Sequence, residues 1–141
     1  MLDGRDVLLD AGPFVAMLDV KDQWHDIVMP VWDALLPRCL TTEPVLVEAT
    51  HILAGRLRSH TRALEFLIAA EVPVFALHMP MHQQCVHLMR RYADVPMDYA
   101  DATLVALADR LRLRLIFTLD RKGFRTYRGA RGLPLEIVPL S

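Results

Sequence analysis

Four acidic residues occupy similar positions in the pattern of this chain. Asp10 and Asp120 each follow a short apolar run, while Glu48 and Asp101 fall within the first turns of helix-like patterns. If the apolar runs are parallel strands, their carboxyl ends lie at one edge of a sheet, and the helices that follow begin there. We therefore expect these four acids to converge in space, although they are far apart in sequence.

Carboxylates gathered in this way repel one another unless a cation compensates them. One or two Mg²⁺ or Mn²⁺ ions, which prefer hard oxygen ligands, would convert that repulsion into metal binding. A divalent ion held by a few carboxylates and water suits phosphodiester hydrolysis, because it orients the phosphate and lowers the pKa of the attacking water. The pattern thus predicts a metal-dependent nuclease with Mg²⁺ or Mn²⁺ as its cofactor.

Glu48 is the acid that packing explains least well. It lies in the apolar segment VLVEATHIL, on the second turn of a helix predicted at 44–57, and it shares a face with Val45 and Ile52. An acid that points partly inward raises the free energy of the folded state unless something compensates it. A functional role for Glu48 is therefore predicted.

Asp98 is an additional acid three residues before Asp101. At that spacing the two carboxylates can face one ion, but Asp98 also precedes a helix pattern at 100–113 and follows Pro96, which disfavours helical geometry before it. An N-cap is the favoured interpretation. A role as a spare or true third metal ligand stays open.

Short apolar runs alternate with helical patterns along the whole chain, which favours a parallel sheet with helices on both faces. We predict an α/β fold of three layers, with about five short strands. The strands are predicted at 7–9, 38–41, 72–77, 115–117 and 135–138. The first helix is predicted to begin at Pro13, the second to follow Asp22 and His25, and the fourth to end at Ala70. The third, fifth and sixth helices are predicted at 44–57, 81–92 and 100–113. Asp22 and Thr42 are predicted to cap the second and third helices.

The composition fits one compact domain over residues 1–141. The two cysteines, Cys39 and Cys85, are predicted to be buried free thiols. The sequence contains no long apolar run and begins with an acidic segment, so a cytoplasmic protein is expected.

Basic residues cluster late in the chain, although the net charge is −1. All of the 16 basic residues except Lys21 and Lys122 are arginines, which suit bidentate phosphate contacts. Arg121, Lys122 and Arg125 follow Asp120 within five residues and are predicted to bind the backbone of a polynucleotide. A solvated basic face is the alternative explanation.

Four motifs in this order resemble the PIN-domain ribonucleases, and especially the VapC-type toxins of bacterial toxin–antitoxin pairs. They are Asp10 in LLDAGPFVAML, Glu48 after Thr42, Asp101 in MDYADATLVALA, and Asp120 in FTLDRKGF. The resemblance covers nearly the whole chain and includes the D-x-x-H from Asp22 to His25 and the T-x-D-x-x-x-F that ends at Phe124.

The resemblance implies a metal-dependent endoribonuclease with a PIN-like sheet, commonly a homodimer, inhibited by an antitoxin peptide in the active-site groove. It implies that Asp10, Glu48, Asp101 and Asp120 are catalytic. The implied metal ligands are Asp10, Asp101 and Asp120, with Glu48 and Asp98 as further candidates. The expected partners are an RNA substrate, single-stranded or structured, and a cognate antitoxin.

One departure from the family pattern keeps a second hypothesis open. Many relatives carry Ser, Thr or Asn two residues after the first Asp, where this chain has Gly12. The side chain that supports the metal site is therefore absent at this position. The alternative is a weakly active or inactive PIN domain that binds RNA, or DNA together with its antitoxin.

Overall fold

The computed structural model describes residues 2–138, and within them the chain folds around one five-stranded sheet. In chain order the strands are β1 (Val7–Leu9), β2 (Cys39–Thr42), β3 (Val74–Phe75), β4 (Leu115–Phe117) and β5 (Glu136–Val138). Every neighbouring pair is parallel, and the spatial order is β3-β2-β1-β4-β5. The predicted α/β fold with a parallel sheet flanked by helices is confirmed.

Seven helices connect or follow these strands in the described residues. They are α1 (Ala11–Leu18), α2 (His25–Leu35), α3 (Glu43–Leu57), α4 (Arg62–Ala70), α5 (Met79–Arg91), α6 (Tyr99–Leu111) and α7 (Arg121–Thr126), with a short 3-10 turn at Leu36–Arg38.

The centre of the sheet is the most deeply buried part of the molecule. All three residues of β1 are inaccessible to solvent, as are Ile116 and Phe117 of β4. Strands covered on both faces carry continuous apolar runs rather than alternating patterns, which is why VLL and LIF could be recognised as strands. Helix α6 packs as an almost fully buried element, because small and apolar residues fill most of its length.

The edge strand β3 and the start of α3 differ from the sequence prediction. Strand β3 has two residues rather than the six predicted at 72–77, because it lies at the sheet edge and pairs only with β2. Thr42 does precede α3, but its hydroxyl does not cap that helix. It lies 2.8 Å from the hydroxyl of Thr103 and joins β2 to α6 instead.

Helix α7 was not predicted, and the segment after Asp120 was treated as a connection to the last strand. Gly123 is a poor helix former, so the six residues carry little helical propensity. The helix forms because the side chain of Asp120 accepts a hydrogen bond from Gly123 N at 3.0 Å. The N-cap of this short helix is therefore Asp120, one of the four acids predicted to converge.

Cys39 and Cys85 are free and buried, as predicted. No helix within residues 2–138 has both the length and the apolar character needed to cross a membrane.

Candidate active site

Asp10 is a buried carboxylate at the point where β1 ends and α1 begins. It is 8% exposed, and its Oδ1 caps α1 by accepting a hydrogen bond from Ala11 N at 2.8 Å. Its Oδ2 accepts a hydrogen bond from the hydroxyl of Thr118 at 2.7 Å. Burial raises the pKa of Asp10 to about 6 against the lowering effect of these two bonds, and the charges of Asp120 and Asp98 raise it further.

Thr118 connects Asp10 to Asp120. Its hydroxyl donates to Asp10 and accepts a hydrogen bond from Asp120 N at 3.0 Å. Thr118 is 1% exposed, whereas Asp120 is exposed and uses its Oδ1 to cap α7. Because β1 and β4 are adjacent strands, the two acids that follow them belong to the same part of the sheet edge.

Asp98 and Asp101 form a reciprocal cap at the start of α6. Asp101 N donates to Asp98 Oδ1 at 2.8 Å, and Asp98 N donates to Asp101 Oδ2 at 3.2 Å. The interpretation of Asp98 as an N-cap is confirmed. Burial raises the pKa of Asp101 well above its usual range, and the charges of Asp98 and Asp10 add to the effect.

Glu48 faces the same acids from the second turn of α3. Its side chain is half-buried, and burial raises its pKa to about 7, with further contributions from the charges of Asp10 and Asp98. We call Asp10, Glu48, Asp98, Asp101 and Asp120 the acid cluster. The charge of Asp98 acts on Asp10, Glu48 and Asp101, and the charge of Asp120 acts on Asp10, so these acids meet at the carboxyl ends of the strands.

Tyr127 contacts the acid cluster, although the sequence pattern does not identify it as a site residue. It is 1% exposed, and its hydroxyl lies 3.3 Å from Pro96 O and 3.5 Å from Asp101 Oδ2. Burial raises the pKa of Tyr127, and the charges of Asp101, Asp120 and Asp98 raise it further. An aromatic residue seven positions after Asp120 was the available signal, but its contact depends on α7, which was not predicted.

The chemistry of these donors fits a hard divalent cation. The ion pairs recorded for residues 2–138 join Arg38 to Asp6 and Arg56 to Asp19 and Asp22, so within that range no arginine or lysine neutralises the acid cluster. The side chains as they lie do not form a ready-made group of three or more metal ligands in the described part of the chain. Metal binding would therefore require some side-chain rotation, with water completing the coordination.

The D-x-x-H motif has a structural role near the last turn of α3. Asp22 does not cap α2 as predicted: its Oδ1 accepts a hydrogen bond from Trp24 N at 2.8 Å, and its Oδ2 pairs with Arg56 at 2.6 Å. His25 Nδ1 lies 2.7 Å from Ala16 O. These contacts hold the α1–α2 turn against α3.

The predicted RNA-binding residues Arg121, Lys122 and Arg125 all lie on α7, which begins beside Asp120. Lys122 and Arg125 are exposed, and Arg121 is half-exposed. Positive charge is thus available at the margin of the acid cluster, where a polyanion would approach.

Three known proteins are similar to this chain over most of its length. Ribonuclease VapC26 of Mycobacterium tuberculosis is 25% identical over 135 residues, which cover 94% of this chain and 100% of that protein. The crystal structure of VapC20 from the same organism, described as a sarcin–ricin loop cleaving toxin, matches with a TM-score of 0.75 and 20% identity over 82% of this chain and 90% of VapC20. A toxin–antitoxin complex from Klebsiella pneumoniae matches with a TM-score of 0.60 and 17% identity over 85% and 91% of the two chains.

The family model of the PIN domain matches residues 7–130, from the start of β1 to beyond α7. The matched range contains all five acids of the cluster, the bridging Thr118 and the buried Tyr127. With its parallel sheet and its acids at the carboxyl edge, the chain belongs to the PIN domain family.

Proposed function

We propose that this protein is a divalent-metal-dependent endoribonuclease that hydrolyses phosphodiester bonds in single-stranded or structured RNA, with residues 1–141 acting as one nuclease domain. The observation that carries the proposal is the carboxylate of Asp10, whose pKa is raised first by burial and then by the like charges of Asp120 and Asp98, and which has no basic ion-pair partner within residues 2–138. Such an arrangement is unfavourable by itself and becomes favourable when a cation binds.

Asp10, Asp101 and Asp120 are the ligands we assign to Mg²⁺ or Mn²⁺, with Glu48 and Asp98 as additional candidates. When bound, the ion would polarise the phosphate and lower the pKa of an attacking water. Thr118 keeps one oxygen of Asp10 oriented, and the Asp10 cap on α1 keeps the other in place.

Glu48 has the properties of a group that accepts a proton from the attacking water. Its pKa of about 7 lies close to physiological pH, where a general base is most effective. Glu48 is half-buried and lies on α3, whereas none of the other acids does. It would therefore approach the attacking water from a different direction than the other acids. Arg121, Lys122 and Arg125 on α7 would hold the RNA backbone by neutralising phosphates.

We further propose that the protein is the toxin of a type II toxin–antitoxin pair, cytoplasmic and active as a homodimer. Support for the antitoxin partner comes from the similar proteins, which include a VapC ribonuclease and a chain from a toxin–antitoxin complex. Support for the homodimer comes from exposed apolar side chains on α3 and α4. Val47, Leu64 and Ile68 are 68%, 42% and 75% exposed, and Val47 and Leu64 line a hollow of about 450 Å³.

A second candidate function is favoured by two observations. Gly12 offers no hydroxyl or amide to the site, and the carboxylates in residues 2–138 do not stand ready as a three-ligand group. A PIN domain with such a site would bind RNA, or DNA together with its antitoxin, while cleaving poorly.

Cleavage assays with purified protein separate these functions. We expect wild-type protein to cleave total RNA or a sarcin–ricin loop hairpin in Mg²⁺ or Mn²⁺ and to lose that activity in EDTA. Asp10→Asn and Asp101→Asn should abolish cleavage while their circular dichroism spectra match the wild type. Full activity in EDTA or in either variant would eliminate the metal mechanism, and RNA binding without cleavage would favour the binding module.

Growth of an expression host tests the toxin assignment. Expression of the wild-type protein should arrest growth, and Asp10→Asn should not. Co-expression of a small neighbouring gene should restore growth if that gene encodes the antitoxin. Cleavage in vitro without growth arrest would instead indicate a housekeeping nuclease.

A further inference from the structure

A hollow of about 420 Å³ lies at the carboxyl ends of β2 and β3. The acid cluster lies at the same end of the strands. Its walls come from the start of α3, the residues after β3, and the first turns of α5 and α6. Neighbouring strands are about 5 Å apart, so the hollow begins roughly 5–10 Å from the end of β1, where Asp10 lies. We name it the β2–β3 pocket; it is lined by Glu43, Pro44, Val47, Ala76, Leu77, His82, Tyr99 and Ala100.

Tyr99 connects the β2–β3 pocket directly to the acid cluster. It stands between Asp98 and Asp101 in the first turn of α6, so its backbone belongs to the capped segment while its ring lines the pocket. The ring is 41% exposed, and its centroid lies 6.2 Å from that of His82 with the two planes 34° apart. A partly exposed aromatic ring therefore lies beside the site, on a residue whose backbone belongs to the capped start of α6.

The lining of the pocket matches a nucleobase better than it matches a phosphate. Val47, Leu77 and Tyr99 provide an apolar and aromatic surface, on which the face of any base can stack. Glu43 is the acidic residue of the lining: it would repel a phosphate but can accept hydrogen bonds from the N–H groups of a base edge. Proteins that recognise single-stranded RNA commonly combine stacking on aromatic rings with contacts to base edges.

We propose that the β2–β3 pocket binds one unpaired base of the RNA, next to the phosphate that is cut, and that this base stacks on Tyr99. The inference rests on the proposed endoribonuclease function and adds a specificity site to it. The carboxylate cluster then acts on the phosphate, α7 holds the backbone, and the pocket selects which nucleotide lies beside the cut. A paired base cannot enter, so RNA that is single-stranded at this position is preferred.

The test uses RNA binding as well as cleavage. A set of single-stranded RNA oligonucleotides carries 2-aminopurine, a base analogue whose fluorescence is quenched by stacking, at each position in turn. The Asp10→Asn variant, which is expected not to cleave, should quench the fluorescence at one position. Adding Tyr99→Ala should abolish that quenching and weaken binding about tenfold or more, whereas adding Tyr99→Phe, which keeps the ring, should preserve both.

Trp24→Ala is the matched control. Trp24 is 42% exposed, almost the same as Tyr99, but it lies near the start of α2, and its recorded hydrogen bonds use only the backbone. In the Asp10→Asn background this change should leave quenching and affinity unchanged. In otherwise wild-type protein, Tyr99→Ala should raise KM for RNA by about tenfold or more, with a smaller effect on kcat.

The outcomes distinguish this inference from the proposed function. If wild-type protein cleaves RNA and Tyr99→Ala changes neither quenching nor KM, the pocket assignment is wrong and the nuclease stands. If Tyr99→Ala weakens only the binding of the antitoxin, the pocket is a protein-docking site and the inference is overturned. If no RNA is cleaved but Tyr99-dependent quenching persists, the nuclease proposal fails and the base site is supported.

Discussion

The hydroxyl of Thr118 donates a 2.7 Å hydrogen bond to Asp10 across 108 positions of sequence. Asp10 directly follows β1 and Thr118 directly follows β4, and these strands are parallel neighbours. The hydrogen bond therefore joins the carboxyl ends of β1 and β4. The same hydroxyl accepts a hydrogen bond from Asp120 N. One buried side chain thus fixes the carboxylate orientation of Asp10 and the backbone position of Asp120.

Replacing Thr118 with Val should therefore weaken both stability and activity. The isosteric change leaves Asp120 N without its acceptor and removes a donor from the buried Asp10, which should lower the free energy of unfolding by about 1–3 kcal/mol. Cleavage should fall by more than this loss explains, because the Asp10 carboxylate is free to rotate. Urea unfolding and kcat/KM under conditions where the variant is fully folded measure the two effects.

Thr118→Ser keeps the hydroxyl and is the control for that experiment. It should retain most of the activity while losing only the packing of one methyl group, about 1 kcal/mol. If Thr118→Val cleaves RNA as well as Thr118→Ser does, the hydrogen bond from Thr118 to Asp10 does not contribute to cleavage.

The raised pKa values predict how the stability of metal-free protein depends on pH. Folding raises the pKa of Asp10 from 3.8 to about 6 and that of Glu48 from 4.5 to about 7, chiefly because burial disfavours the charged form. The charges of Asp120 and Asp98 add to the shift of Asp10, and those of Asp10 and Asp98 add to the shift of Glu48. The folded state therefore binds more protons than the unfolded state, so this contribution is present at low pH and is lost as pH rises through the folded values. In EDTA we expect Tm to decrease between about pH 4 and 7, by roughly 3 °C for each kcal/mol lost.

Divalent ions should reverse that decrease. Ionised carboxylates bind Mg²⁺ and protonated ones do not, so Mg²⁺ should raise Tm more at about pH 8 than at about pH 5. Glu48→Gln removes one of the titrating groups and should flatten the pH profile in EDTA. A Tm in EDTA that is constant or rises over this range would show that the acids are not destabilising when ionised.

The positions of Asp10 and Asp120 at strand ends were predictable from sequence, because Asp10 directly follows a short buried apolar run and Asp120 comes three residues after another. Local pattern is enough to identify a buried strand end, and a parallel sheet then places such ends together. Asp98 was also predictable as a cap, since capping depends only on the next three residues. These features depend on local sequence or on a general rule of sheet topology.

The contacts of Thr118 and Tyr127 could not be predicted in the same way, although Thr118 begins the T-x-D-x-x-x-F motif. A threonine after a strand is ordinary, and its role becomes visible only when β1 and β4 are known to be neighbours. The contact of Tyr127 with Asp101 requires α7, a helix with weak propensity that is started by the Asp120 cap. Both residues depend on contacts between distant parts of the chain, which no local pattern encodes.

Two substitutions of Asp98 separate helix capping from metal binding. Asn is as good an N-cap as Asp but is neutral, so Asp98→Asn should keep stability and the Mg²⁺ concentration for half-maximal cleavage close to the wild type. Asp98→Ala loses the bond to Asp101 N and should lower the free energy of unfolding by about 1 kcal/mol. An Mg²⁺ requirement about tenfold higher in Asp98→Asn, a change of roughly 1.4 kcal/mol, would instead identify Asp98 as a ligand.

Gly123 is a position where even one added methyl group should damage the site. A Cβ there would lie 2.5 Å from Asp120 Oδ2 and 2.9 Å from the hydroxyl of Tyr127, so Gly123→Ala must displace at least one of them. We expect a loss of about 1–3 kcal/mol in stability and a disproportionate loss of cleavage, because both displaced groups belong to the acid cluster. Gly55→Ala is the matched control: the same change on α3 meets nothing within 4 Å and should stabilise the protein by about 0.5–1 kcal/mol without altering cleavage. If Gly123→Ala retained full kcat/KM, the capped geometry of Asp120 and the position of Tyr127 would have no part in the reaction.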